Sequence, residues 1–386
     1  GLSAGRVQSS ALKIICDRER EIESFVSEEY WSLSAELSPM PRGRKFEARF
    51  VPEDDKRLSK EDTDKILADL EGVDYMVESI NVRDQARRPA PPFITSTLQQ
   101  EAFRKLGFSG RRTMSNAQAL YEGVEVAGEG HVALITYMRT DSTRVAREAQ
   151  IAARDYARDR WGSKYVPRSP RAYVSRKGAQ DAHEAIRPTS VSRTPESLKA
   201  SLGRDQLRLY TLIWSRFMAS QMSDAVKEVT SVDISAGKHR FRATGQKMKF
   251  DGFTVIYTEG RDDENSRDED KRELPALEAG QGLDLVQLLP KQHFTQPPPR
   301  YTEATLVKEL EKHGIGRPST YAPIIDTLRK RDYAELDKKR FVPTEVGLVV
   351  CDLLSEHFPS VVDLEFTAKM EEKLDGVEEN EADWIR

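Results

Sequence analysis

The spacing of apolar residues changes along the first part of the chain. From 3 to 25, apolar residues such as Val7 and Ile14 recur at steps of three and four, which predicts an amphipathic helix. Between 30 and 84, apolar and polar residues alternate, which predicts strands, interrupted by one helical stretch near 61–70. The pattern therefore predicts a helix followed by a sheet-forming unit.

Proline-rich stretches divide the rest of the chain. The prolines within 87–92 remove hydrogen-bond donors and fix φ, so we expect a domain boundary there, and a second proline run at 297–299 precedes another helical region. Helical patterns cover 96–106, 115–124, 142–161, a helix opening at Thr194, 205–222, 302–313, 319–331, 345–357 and 364–376, and strand patterns cover 131–137, 228–235, 239–243 and 252–257. The order of elements is helix, sheet, helices, sheet, helices. It predicts a nested arrangement, in which the chain leaves the first regions and later returns to them.

Charge and cysteine content narrow the class of protein. The 386 residues include 60 Lys and Arg against 64 Asp and Glu, a net charge of −4, which excludes a uniformly basic nucleic-acid binder. No apolar run is long enough to cross a bilayer, so we expect a soluble protein. Cys16 and Cys351 form no CxxC pair, which excludes a zinc ribbon and fits a reducing cytosol.

The polar run 261–273 predicts a solvated, mobile loop.

The segment 134–143 contains a tyrosine two residues before an arginine. Its pattern predicts an apolar strand that ends in a polar cluster at the start of the next helix, a corner that can bind an anion. A phenol is a poor nucleophile at its free pKa of about 10, and neighbouring cations favour the phenolate. Tyr137 and Arg139 therefore suit phosphoryl transfer, with the arginine holding a phosphate oxygen. The alternative is a tyrosine that only packs at a strand end.

Positive charge is concentrated just after this segment. Residues 137–187 contain twelve Lys and Arg and six Asp and Glu, an excess of six positive charges in a chain whose total is negative. Tyr156, Trp161, Tyr165 and Tyr173 lie among these charges. Such a composition is typical of a surface that holds a phosphate backbone and stacks bases, the alternative being a salt-bridged helix face with packed aromatic residues.

The segment 181–189 begins like the helix of a zinc protease. Arg187 stands four residues after His183, where a second metal-binding histidine would be needed, so a two-histidine metal site is excluded. If the segment is helical, His183 and Arg187 lie one turn apart and can both donate to one phosphate. The alternative is a histidine satisfied near a helix end.

Several predicted helices begin with arginine, tyrosine and hydroxyl or amide side chains. Such a helix start suits a phosphate, although the first of them lacks the GKS/T ending of a nucleotide-binding loop. The alternative is a set of ordinary capped helices. The residues concerned are Arg6 and Gln8 near the start of the chain, and Arg300, Tyr301, Arg317 and Ser319 near its end.

Five ordered stretches resemble the signature motifs of bacterial DNA topoisomerase I, a type IA topoisomerase. They are GLSAGRVQS (1–9), PPFITSTLQQEA (91–102), ITYMRTDST (135–143), DAHEAIRPT (181–189) and YTEATLVKELEKHGIGRPSTYA (301–322). The resemblance implies an α+β multidomain fold, a toroidal clamp of helical domains joined by a β-rich arch. Its parts would be helical domain IV (1–31 and 296–386), arch domain II (32–93 and 223–295) and helical domain III (94–222).

The resemblance also implies a site and a reaction. Tyr137 would attack a phosphate of single-stranded DNA to form a 5′-phosphotyrosyl link, with Arg139 stabilising the phosphate and His183 assisting. The other strand would then pass and the link would reverse without ATP, which relaxes negatively supercoiled DNA. We expect a monomer in the bacterial cytoplasm, associated with the nucleoid. The DNA-binding residues would be Arg6, Gln8, Asp141, Arg187, Arg300, Tyr301, Arg317 and Ser319.

The sequence departs from the family pattern at both ends. Members of the family carry a TOPRIM domain before the first motif, with a catalytic glutamate and an acidic cluster that binds Mg²⁺, and some carry C-terminal zinc ribbons. The chain begins at Gly1 without a signal peptide, so we expect a piece of a longer polypeptide, with Mg²⁺ used only in that longer enzyme. We therefore expect single-strand binding, weak or no relaxation, and a solvent-exposed Tyr137.

Two other functions are compatible with parts of this pattern. A single-stranded DNA-binding module without chemistry would use the same basic aromatic surface. A recombinase or type IB enzyme would carry His-x-x-Arg before a late tyrosine. Here Tyr137 precedes His183 and the spacing is His-x-x-x-Arg, which argues against that class.

Overall fold

The protein has an α+β fold, as the family resemblance implies. The computed structural model describes residues 5–41, 43–52, 54, 56–173, 183–260, 262 and 273–378. Its helices are α1 (Arg6–Glu23), α2 (Lys60–Asp69), α3 (Thr95–Leu106), α4 (Gly110–Glu122), α5 (Arg147–Trp161), α6 (Arg204–Ser220), α7 (Glu303–Lys312), α8 (Tyr321–Lys330), α9 (Glu345–His357), α10 (Pro359–Val362) and α11 (Leu364–Glu378). Its strands are β1 (Glu29–Pro39), β2 (Phe46–Phe50), β3 (Tyr75–Arg87), β4 (Val124–Val126), β5 (Gly130–Val132), β6 (Ala225–Ala236), β7 (His239–Phe250), β8 (Gly282–Phe294), β9 (Ala334–Asp337) and β10 (Arg340–Pro343).

Five long strands and the short β2 close into an antiparallel barrel in the order β1-β2-β7-β6-β3-β8. Leu33, Ala35 and Leu37 alternate with more exposed residues along β1 and are buried. The barrel is built from two separate parts of the sequence, since β3 pairs with β6 from Tyr75↔Ala236 to Arg87↔Ala225. In the described part of the chain, β3 pairs with β8 over only two residues of each strand, so closure is confined to one end of β3. The barrel encloses a hydrophobic cluster of its own.

The described helices surround two further hydrophobic clusters. The middle cluster joins α3, α4, α5 and α6 through buried residues such as Leu98, Phe108 and Phe217. The terminal cluster joins α1 to the last part of the chain through residues such as Leu12 and Ile325. Because α1 packs against α8, α9 and α10, the two ends of the described chain share one core. The exact domain boundaries given above stay a prediction.

The middle region differs from the predicted elements around Tyr137. The predicted strand 131–137 is only β5, because Leu134 and Ile135 are both buried and Ile135 bridges to Pro188 instead of continuing an alternating strand. The predicted helix 142–161 begins only at Arg147, since the N–H of Ala146 donates to Glu184 and its backbone is extended. The polar cluster therefore lies on irregular chain and not at a strand-to-helix corner.

Two other predicted elements are wrong. After Thr194 the chain forms successive turns closed by bonds such as Ser201 N–H to the Leu198 carbonyl, because one capped turn does not by itself propagate a helix. The predicted strand 252–257 is instead a 3₁₀ turn at Gly252–Val255. Gly252 has φ +48°, and a Cβ there would lie 2.3 Å from the Asp224 carbonyl oxygen, so this glycine turns the chain away from the barrel.

Some sequence expectations fall outside the described part of the chain. These are most of the predicted loop 261–273, the first four residues of the first motif, and the first two residues of the 181–189 motif. The pattern also missed β8 and the hairpin of β9 and β10. Within the described ranges, no helix combines the length and the apolar character that a membrane crossing requires.

Candidate active site

Tyr137 lies on irregular chain that two neighbouring segments hold in place. The N–H of Leu134 donates to the carbonyl of Leu120 in α4 at 2.8 Å, and the N–H of Thr136 donates to the carbonyl of Arg187 at 2.9 Å. These two bonds attach the backbone just before Tyr137 to α4 and to the segment that contains Arg187. The side chain of Tyr137 is 36% exposed, so its hydroxyl is not enclosed in an apolar interior.

Two rings flank Tyr137. The ring of His183 lies 5.4 Å from that of Tyr137 at an interplanar angle of 41°, and the ring of Tyr121 lies 5.4 Å away at 64°. The structure thus brings together the predicted nucleophile and the predicted histidine, which are 46 positions apart in the sequence. Tyr121 was not singled out from the sequence, because it stands as one more aromatic residue near the end of a predicted helix.

The chain after Tyr137 is fixed on the first turn of α3. The N–H of Thr95 donates to the carbonyl of Thr140 at 2.9 Å, and its hydroxyl donates to the carbonyl of Met138 at 2.8 Å. The N–H of Thr140 in turn donates to the Thr95 hydroxyl oxygen at 2.9 Å. All three residues are buried, so Arg139 between them is held by its neighbours' backbone, and Asp141 follows half-buried.

Arg139 points into a cavity of about 750 Å³ between α4 and α8, here named the α4–α8 cavity. Arg139 is exposed, and among the described residues its guanidinium has no hydrogen-bond or ion-pair partner. Ser319, which the sequence places in a different motif, lines the same cavity. Charged residues on the wall, besides Arg139, are Arg111, Glu122, Asp326 and Lys330. A hydrogen bond from Lys330 lowers the pKa of Asp326, so that carboxylate is ionised near neutral pH.

A second cavity of about 260 Å³, the α1–α8 cavity, adjoins the first. Thr327 of α8 lines both cavities, and Gln8 and Arg331 line the second. Arg6 opens α1 and lies 3.6 Å from the Glu371 carboxylate. Residues from the first motif therefore lie along the same helix, α8, as those that face Arg139.

The segment after His183 is not helical, which corrects the expectation that His183 and Arg187 lie one turn apart. Residues 183–187 run as extended chain, since Ile186 bridges to Phe93. Arg187 instead donates from Nε to the Glu184 carboxylate at 2.7 Å. Burial alone would raise the pKa of Glu184, but the hydrogen bond and charge of Arg187 lower it below its usual value. Arg187 is thus half-buried and ion-paired beside the site.

The other predicted DNA-binding residues are occupied in contacts within the terminal cluster. Arg300 donates twice to the Glu19 carboxylate, at 2.8 and 2.6 Å. Tyr301 is buried, which raises its pKa, and its hydroxyl accepts from Arg18 at 2.8 Å. Arg317 is held in the same way by Asp375 of α11, at 2.6 to 3.0 Å. These contacts join α1 to the chain just before α7, and the chain just before α8 to α11.

A metal site is not assembled by the described residues. They contain no group of three or more His, Cys, Asp or Glu side chains that could hold a metal ion. The Mg²⁺ that the family implies therefore finds no ligand set in this part of the chain, and no step below is routed through it.

The comparisons with known proteins agree with these motifs. A family model described as DNA topoisomerase matches residues 1–386. The structure is similar to that of full-length topoisomerase I from Thermotoga maritima, with a TM-score of 0.84 and 42% identity. That match covers 98% of this chain and 60% of the other, so the chain spans little more than half of that protein. The chain therefore belongs to the DNA topoisomerase family, with the fold of its bacterial type IA members.

Proposed function

We propose that this chain supplies the nucleophile and part of the strand-binding surface of a type IA DNA topoisomerase. The observation that carries the proposal is the exposed Tyr137 ring against His183, two residues before an arginine that has no partner among the described residues. A phenol can attack a phosphodiester, and a guanidinium without an internal partner is available to hold its phosphate oxygens.

The proposed reaction is a reversible transesterification. The Tyr137 hydroxyl oxygen attacks a backbone phosphorus of single-stranded DNA, and the bond from that phosphorus to the 3′ oxygen breaks. The phenol loses its proton and the leaving oxygen gains one, which gives a 5′-phosphotyrosyl link and a 3′-hydroxyl. Attack by that hydroxyl restores the strand. Because one phosphodiester replaces another in each direction, ATP is not needed.

Arg139 and His183 have different parts in this proposal. As negative charge grows on the non-bridging oxygens, Arg139 stabilises it, an effect that commonly contributes a factor of about 10²–10³. His183 lies against the face of Tyr137 and can hold a proton or donate to the phosphate at the same place. The other strand would pass through the break before rejoining, which relaxes negative supercoils.

We propose that the bound strand follows α8. The α4–α8 and α1–α8 cavities share Thr327, and their walls carry Arg139, Ser319 and Gln8 from three separate motifs. Single strands bind where cations track the backbone and planar groups face the bases. From the family to which the chain belongs we further propose a monomeric protein of the bacterial cytoplasm that acts on single-stranded and negatively supercoiled DNA.

The proposal includes weak or no relaxation by this chain alone, because the matched full-length protein is longer and the described residues offer no metal ligands. Robust relaxation of a negatively supercoiled plasmid by this chain with Mg²⁺ would refute that part. The nucleophile can be tested separately with an oligonucleotide that carries a sulfur in place of one bridging 3′ oxygen. A thiolate is a better leaving group, so the attack depends less on groups that would protonate the leaving atom.

The expected result is a covalent adduct with a 3′-labelled oligonucleotide but not with a 5′-labelled one. The adduct should disappear in Tyr137→Phe, while the Kd for the unmodified oligonucleotide stays within about twofold. The second candidate function, a DNA-binding module without chemistry, is favoured by the unpaired Arg139 on a cavity wall. Tight binding with no adduct from the sulfur-containing substrate would support that module and contradict the nucleophile.

A further inference from the structure

Tyr121, which lies outside the family motifs, contacts the ring of the proposed nucleophile. It belongs to the last turn of α4, is 37% exposed, and meets the Tyr137 ring edge-on at 5.4 Å. Its ring and that of His183 are the two rings recorded within contact of Tyr137 among the described residues. The contact is therefore part of the immediate surroundings of the reacting phenol.

The backbone on which Tyr137 sits does not orient its ring. The residues from 133 to 146 form neither helix nor strand, apart from the single bridge at Ile135. Backbone hydrogen bonds fix Leu134, Thr136 and Thr140 but leave the side-chain torsions of Tyr137 undetermined. In the described part of the chain, no group hydrogen-bonds the Tyr137 hydroxyl. The ring orientation therefore depends on packing.

The same backbone bonds attach the chain segments that carry the two flanking rings. The Leu134 bond to the Leu120 carbonyl attaches the segment to α4 one residue before Tyr121. The Thr136 bond to the Arg187 carbonyl attaches it to the segment that carries His183. The segments that carry Tyr121 and His183 are thus both attached to the segment that carries Tyr137, and each flanking ring lies 5.4 Å from the phenol ring. An edge-on aromatic contact favours one relative orientation of the two rings.

We propose that Tyr121 is a positioning residue, which holds the Tyr137 ring so that its hydroxyl meets the phosphate beside Arg139. This rests on the proposed function of Tyr137. The ring of Tyr121 supplies the effect, and its hydroxyl is not needed. A small loss of orientation lowers the rate of a displacement strongly, since attack requires alignment of the reacting atoms.

The first experiment measures the ring itself and needs no activity. The chain is produced with 3-fluorotyrosine, and the Tyr137 resonance is assigned by its loss in Tyr137→Phe. In Tyr121→Leu we expect a narrower Tyr137 line, because the ring gains motion, whereas Tyr121→Phe keeps the wild-type width. The width is decisive, because removal of a neighbouring ring changes the chemical shift in any case. An unchanged width in Tyr121→Leu contradicts the proposal.

The second experiment separates the rate of attack from binding. With the sulfur-containing oligonucleotide, Tyr121→Leu should form adduct about tenfold more slowly at saturating DNA, with the Kd unchanged. Tyr121→Phe should restore the wild-type rate. Tyr30→Leu is the matched control, since it removes a tyrosine stacked at 5.1 Å on His293 in the barrel, away from the site.

The outcomes distinguish this inference from the proposed function. If the wild-type chain forms no adduct, the proposed nucleophile fails, and the line width still decides whether Tyr121 orders the ring. If the wild type reacts and Tyr121→Leu reacts equally fast, only the positioning role is overturned. A weakened Kd with an unchanged line width also overturns it, because Tyr121 would then contact DNA instead of Tyr137.

Discussion

Two groups of arginines, in the family motifs or directly beside them, differ in what surrounds them. Arg139 is exposed on a cavity wall without a partner among the described residues. Arg300 and Arg317 each give two or more hydrogen bonds to one carboxylate. The same residue type, within a signature motif or directly beside one, is thus available to a ligand in one place and holds parts of the chain together in the other. The local partner, more than the motif, separates the two roles.

Loss of Arg139 should have the largest effect, on the reaction and not on the fold. Arg139→Ala should slow adduct formation by about 10²–10³-fold, because the charge on the transferring phosphate loses its cation. Its free energy of unfolding should change by less than about 0.5 kcal/mol, since no internal contact is lost. Rapid-quench assays and urea unfolding measure the two quantities. A large loss of stability would show that Arg139 is structural.

Loss of Arg300 should lower stability and leave the rate of adduct formation almost unchanged. Arg300→Ala leaves the buried Glu19 carboxylate unpaired, so we expect the free energy of unfolding to fall by about 2–3 kcal/mol. The rate of adduct formation at saturating DNA should change little. Urea unfolding of the double variant with Glu19→Gln supplies the control, since it should recover part of the loss. A rate defect as large as that of Arg139→Ala would erase the contrast between the two groups.

Loss of Thr95 should affect both stability and reaction rate, because its hydroxyl holds the loop that carries Arg139. Thr95→Val should lower the free energy of unfolding by about 1–3 kcal/mol, since buried groups at Met138 and Thr140 lose a partner. Adduct formation should slow as well. Thr95→Ser keeps the hydroxyl and serves as control. Wild-type stability in Thr95→Val would mean that the loop is held by other contacts.

The smallest effect is expected at Glu303, which joins the middle and terminal helices by accepting from the Gly110 N–H at 2.8 Å. Burial raises the pKa of Glu303 above its unfolded value. The ionised form is therefore disfavoured in the folded chain, and stability falls as the pH rises from the unfolded pKa through the folded one. Glu303→Gln keeps an acceptor and should be slightly more stable than wild type at pH 7 but not below pH 4. Thermal unfolding at both pH values checks the sign.

Much of the fold could be read from the sequence because it depends on periodicity. The alternation that begins at Trp31 and the three- and four-residue steps around Ile14 became β1 and α1. Prediction from periodicity failed where neighbouring residues are buried outside a regular element, and where a single residue changes the direction of the chain. Gly252 turns the chain away from a predicted strand, and Leu134 and Ile135 are buried together without belonging to a strand.

The candidate site was only partly accessible to sequence reasoning. The spacing of motifs indicated Tyr137, Arg139 and His183, but not the extended course of the chain after His183. Tyr121 meets Tyr137 through a tertiary contact between α4 and an irregular segment, and neither composition nor period reports such a contact. Likewise, the carboxylates that bind Arg300 and Arg317 belong to helices that are far away in the sequence. The sequence alone therefore could not show that these arginines make internal ion pairs.

The register of the barrel has a mechanical consequence. Arg87 and Ala225, where the chain leaves for the middle helices and returns, are paired neighbours on adjacent strands. Glu29 and Phe294, where it meets the terminal helices, are paired in the same way. Each helical body is thus attached to the barrel by two strand ends lying side by side. If a helical region tilts, the strain therefore falls on the two neighbouring connections at one place on the barrel. The hydrogen bonds between the strands stay intact.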